Sequence, residues 1–142
     1  MRKIYFLVKI FILYLFLISI GLAAKSGYFD EGKTLFDKKE FENSKIFFER
    51  DIVVNPKSEK SYLYLAKIFD KNDNDLEKEM NLNSVLLLNP QNDEAIYMLI
   101  LLRIKQSDYN GAKELIEKFN LVCNLFCVKK DEIQEKFDKL IP

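Results

Sequence analysis

Cys123 and Cys127 are the side chains of this 142-residue chain best suited to covalent chemistry, being its only thiols and lying four positions apart. In an exported domain such a pair favours a structural disulfide. A regular helix would orient the two poorly, whereas a turn brings their β-carbons into bonding range. Buried or free thiols are the second reading. Redox catalysis is the third, and the spacing opposes it: three residues intervene instead of two, and no βαβ pattern surrounds the pair.

Other reactive groups are scarce. The chain has no histidine, which removes the commonest general base and the commonest zinc ligand. Asp70, Asn72 and Asn74 alternate like the ligands of a calcium loop. Asp75, however, stands where that loop turns on glycine, and Asn81 where it needs a bidentate glutamate, so a solvated turn between helices explains the run. The four glycines are scattered and form no phosphate-binding loop. We therefore expect no catalytic residues, no metal ligands and no cofactor.

The elements that position these residues follow from a period. Asn55-Pro56 recurs as Asn89-Pro90, and sliding the chain by that interval aligns three copies: 25–58, 59–92 and 93–126. The second copy carries Tyr62, Leu65, Ala66, Phe69, Leu82, Val85 and Pro90. The first carries Tyr28, Gly32, Leu35, Ser44, Phe48 and Pro56; the third carries Ile96, Leu99, Ala112, Ile116 and Phe119, without the terminal proline. Spacings of three and four give each segment one apolar helical stripe. Glu40-Phe41 and Asp108-Tyr109 sit at turns between paired helices, and each proline separates one unit from the next.

This pattern over 25–126, with its period the length of one helix–turn–helix unit, resembles the tetratricopeptide repeat. The resemblance implies an all-α fold, three helix–turn–helix units in a short right-handed solenoid. One hairpin cannot bury its own apolar face, and about three are the usual minimum for a stable stack. Residues 127–142 read as a C-terminal capping helix with Ile133, Phe137 and Leu140 on one face. Several positions depart from the pattern: Lys78 and Asp51 replace small residues, and Glu31, Asp75 and Arg103 replace apolar or aromatic ones.

Members of the family bind extended peptides or partner helices along the inner curve of the stack. Carried onto this chain, the matching first-helix positions are Phe29, Lys33 and Phe36; Leu63, Lys67 and Asp70; and Tyr97, Leu101 and Ile104. The family's clamp for C-terminal carboxylates is not implied, because Phe29, Leu63 and Tyr97 occupy one of its key polar positions. Packing of some of these side chains against the leader or the capping helix is the competing reading.

Residues 1–24 stand outside the period. Arg2, Lys3 and Lys9 supply positive charge, no acid precedes Asp30, and an apolar run over 10–24 ends in small residues. This is a signal-peptide pattern, with cleavage expected near Gly21-Leu22-Ala23. As a helix, 10–24 would be only about 22 Å long, whereas 4–24 would reach about 31 Å, enough for an uncleaved signal anchor. Either outcome places the copies outside the cytoplasm. With three of the 22 basic residues and none of the 22 acidic ones in the leader, the remainder is net acidic, which argues against nucleic acid. The expected function is a non-catalytic protein–protein interaction adaptor or assembly factor of a bacterial envelope, periplasmic or inner-membrane anchored. A structural subunit fixed in the inner membrane by its leader is the alternative.

Overall fold

The computed structural model describes residues 27–139. The leader 1–24, with its cleavage site, and Leu140 lie outside them. Among the described residues seven α-helices follow one another: α1 (Tyr28–Asp37), α2 (Phe41–Val54), α3 (Glu59–Lys71), α4 (Asp75–Leu88), α5 (Asp93–Lys105), α6 (Tyr109–Val122) and α7 (Lys130–Asp138), with a 3₁₀ turn at Cys127–Lys129 before the last. The starts of α2, α4 and α6 are one period apart, as are those of α3 and α5.

Local chemistry sets these boundaries. Asn74, Asn92 and Asp108 each accept a backbone N–H from three residues on, capping α4, α5 and α6. Within each hairpin the chain reverses through a left-handed residue: Lys39, Asp73 and Ser107 have φ of 65°, 52° and 59°. The turn thus repeats with the same period as the helices. Close approach of α1 to α2 requires Gly32, because a β-carbon there would lie 2.9 Å from the Phe48 ring.

The core runs along the stack in three overlapping parts. Phe48, Leu65 and Ile68 join the first two hairpins; Leu63, Leu82, Val85 and Leu99 join the second and third; Ile100, Ile116, Phe119, Ile133 and Phe137 join the third to α7. Polar ties accompany this packing. Asp51, buried at a pattern position for a small residue, accepts from the hydroxyls of Ser58 and Ser61 and so fastens the first copy to the second. Glu59 accepts from the side-chain amides of Asn89 and Asn92, at 3.0 and 2.6 Å.

The equivalent acid one copy on, Asp93, does the corresponding work with backbone donors. Its carboxylate accepts the N–H groups of Asn124 and Phe126 at 2.7 and 2.8 Å. Asn124 stands where the first two copies have proline, which could not donate. Loss of the repeated proline thus supplies the N–H that anchors the loop. Cys123 and Cys127 close this loop as a disulfide, with Cα atoms 5.2 Å apart. The bond forms because α6 ends at Val122 and the chain bends before the 3₁₀ turn.

Candidate functional site

An open groove of about 720 Å³ runs along the first helices of the hairpins. Its apolar surface comes from Phe36 on α1 and from Tyr97 and Leu101 on α5, over the buried Met98; Lys67, Asp70, Lys71, Asp73, Lys78, Glu94 and Lys105 supply the polar surface. Of the positions carried over from the repeat, the groove brings together Phe36, Lys67, Asp70, Tyr97 and Leu101.

The others stand apart for identifiable reasons. Leu63 is only 9% exposed and packs with Ala66, Leu82 and Val85, so it supports the stack from within. Phe29 turns toward the first hairpin's core, its ring 5.7 Å from both Phe48 and Tyr64. Lys33 pairs with Asp37 at 2.7 Å. Ile104 is half-buried against the cluster of the third hairpin and α7.

Tyr64 organises the groove's first end, although no pattern position marks it. Phe36 meets it edge-on at 4.9 Å, Phe48 stacks on it at 5.1 Å, and the Lys67 ammonium lies 4.9 Å above its ring. Lys67 also pairs with Glu94 at 2.8 Å, joining α3 to α5 across the groove. Glu94, Lys71 and Lys105 were missed because the carried-over positions covered only part of each first helix. Their spacing is a usable signal, since Lys71 and Lys105 stand at the same place in successive copies.

Charge in the groove is mostly paired. The Lys78 ammonium, buried at the position where the other copies carry Ser44 and Ala112, lies 2.6 Å from Asp70. Lys105 reaches Asp75 at 2.9 Å and Asp73 at 3.6 Å. Among the described residues, Lys71 makes no ion pair; its ammonium rests 5.0 Å from the Phe41 ring. The groove therefore offers an apolar surface between neutralised rims, with one cation available.

At its far end the capping segment closes over Tyr97. The ring lies 5.7 Å from Phe126, and the hydroxyl donates to Glu132 at 3.2 Å. Packing against the cap thus holds one of the carried-over residues in place. Burial, then Glu132, raises the Tyr97 phenol above its ordinary value. The ammonium groups of Lys129 and Lys136 hold the Glu132 carboxyl down at about 2. Burial pushes Asp93 upward, but the N–H groups of Phe126 and Asn124 outweigh it and keep that carboxyl below its usual range.

Both carboxyls have folded pKa values below their unfolded ones. Their stabilisation is complete above the ordinary carboxylate range and is lost as pH falls through the folded values. Lys129 and Lys136 belong to the same segment as Glu132, so Asp93 is the group that ties pH to docking: the loop it holds, and α7 with it, should come loose as pH falls below the usual carboxylate range. Methyl NMR signals of Ile133 will report this as a shift toward free-helix values ahead of those of Leu82. A cap that stays docked until the whole stack melts would refute it.

A row of helical hairpins with an open inner groove defines a helical-repeat scaffold. The fold is that of the tetratricopeptide repeat, as solved structures confirm. The first tetratricopeptide domain of Spaghetti (RPAP3), bound to the HSP90 peptide SRMEEVD, superposes with a TM-score of 0.70 at 13% identity, covering 80% of this chain and 90% of that one. The second such domain of human RPAP3, in complex with the HSP70 peptide SGPTIEEVD, gives 0.67 at 17% identity, covering 82% and 93%. The Sgt2 domain from Aspergillus fumigatus gives 0.67 at 16%, covering 82% and 81%. No protein-family profile matches the chain, and no curated protein sequence matches it.

Proposed function

We propose that this protein is a non-catalytic adaptor or assembly factor that holds a helix or extended segment of another protein in its inner groove. The observation that carries the reading is the strip formed by Phe36, Tyr97 and Leu101, contributed by different hairpins yet lining one groove. Apolar side chains aligned in a concavity are covered economically by a single partner segment. Two structural neighbours hold peptides, which supports a peptide-like occupant. The carboxylate-clamp specificity is not part of the proposal, since Phe29, Leu63 and Tyr97 stand at one of its polar positions. The net acidity of the copies supports a protein partner over nucleic acid. The leader pattern supports an address outside the cytoplasm, and a reporter active only there, fused after Pro142, tests it.

Leu101→Asp tests the groove itself. The full chain and this variant would be used to capture partners from envelope extract, with Leu76→Asp, on an exposed site of α4, as control. Truncation of one anchor costs above ~1 kcal/mol, about fivefold or more in affinity. A charge in place of Leu101 should therefore remove the partner that the parent and the control retain. Equal capture by all three would place recognition elsewhere.

A further inference from the structure

Exposed aliphatic side chains are concentrated at one edge of the stack. The first helix of each hairpin begins, and the second ends, at that edge. Val53, Leu87 and Leu121 occupy equivalent places there, one in each copy, and are 79%, 84% and 87% exposed. Leu125 and Val128 extend the row into the segment that follows α6. Among the described residues no series runs through all three copies toward the opposite edge: Leu76 is exposed, but its equivalents are Glu42 and Asn110, and the exposed pair Ile46 and Met80, further along the same helices, is followed by Glu114.

Charge at this edge leans positive. Loops 55–58 and 89–92 and the segment 123–129 contain no acidic residue; Lys57, Lys60 and Lys130 stand at the edge, while Lys129 is paired with Glu132 and Asp131 is the one exposed acid beside them. The acids that begin α3 and α5 are engaged inward, Glu59 by Asn89 and Asn92, and Asp93 by the loop N–H groups. Aliphatic side chains with lysines around them suit the lipid–water boundary, where the apolar groups enter the acyl region and the ammonium groups meet phosphates.

The chain also arrives here. α1 begins at Tyr28, and the apolar run 4–24 ends at Ala24. Four residue steps separate Ala24 from Tyr28, a reach of at most about 14 Å.

We propose that residues 4–24 remain in a phospholipid bilayer and that the edge bearing Val53, Leu87 and Leu121 lies on its surface. The stack then stands on the membrane with its hairpin axes pointing away from it. The inference goes beyond the groove reading and uses none of the groove residues.

The chain has no tryptophan, so a single one introduced at an exposed site reports alone. Full-length Leu87→Trp, Leu121→Trp and Leu76→Trp would be reconstituted into vesicles of phosphatidylcholine and phosphatidylglycerol with brominated acyl chains. The first two should emit at shorter wavelength and lose most of their intensity to bromine. Leu76→Trp, about 16 Å away along α4, should keep a water-exposed spectrum and its intensity. Equal quenching at all three sites, or none at Leu87 and Leu121, would overturn the proposal. So would a blue shift without bromine quenching that grows with protein density, which would place a second copy of the chain on this edge.

Discussion

Phe48→Ala should lower the melting temperature by more than about 10 °C, given the cost of emptying a large buried site. The side chain is fully buried, and its ring meets Phe29, Tyr64 and the glycine backbone of α1 at once. Such a truncation costs about 3–5 kcal/mol, transfer and cavity terms together. That is a large share of the ~5–15 kcal/mol that holds a typical domain, and each kilocalorie is worth roughly 4–8 °C at this size. Gly32 makes the loss harder to repair, since α1 already sits as near α2 as its backbone permits. Because three hairpins are about the minimum for a stack, release of the first should weaken the others. Thermal unfolding followed by circular dichroism checks this; a midpoint within a few degrees of the parent would show that the first hairpin is dispensable.

Asp70→Ala should also be costly, and for an electrostatic reason. Asp70 is 53% exposed at its side chain, but its partner Lys78 is only 6% exposed, with the ammonium held 2.6 Å from the carboxylate. Removing the acid leaves a largely desolvated charge without its acceptor, a loss of about 1–3 kcal/mol. Water reaching Asp70 keeps the figure below that of a fully buried pair. Lys78→Met removes the charge itself and should be neutral or stabilising. Denaturant midpoints of the two variants should therefore move in opposite directions, or Asp70→Ala alone should fall. A large loss from Lys78→Met, with none from Asp70→Ala, would show that packing of the lysine stem matters and the ion pair does not.

Helix positions were legible because they depend on local, repeated signals. Proline spacing and apolar stripes bear on every copy, and the helices recur at the same interval. The groove was only partly legible because equivalent positions in a short stack are not in equivalent surroundings. Leu63 belongs to the middle hairpin and is covered from both sides, while Tyr97, at the same place in the third, retains a surface that the cap partly covers. Tyr64 was missed for the converse reason: its importance lies in contacts with α1 and α2, which a register within one copy does not describe. Lys78 was visible as a departure from the pattern, but its pairing with Asp70 needed the two helices in place.

Each helix packs chiefly on its neighbours in the chain, with α1 also reaching α3 and α5 reaching α7. Such an arrangement behaves as a series of links under load. Pulled by its ends, the stack would yield one hairpin at a time instead of shearing as a block, and each unit released would add on the order of 100 Å of slack. The bridge between Cys123 and Cys127 withholds almost none of it, because it spans only four positions. A partner lying across several hairpins would act as a splint, and its departure would leave a tether able to extend many times its folded length.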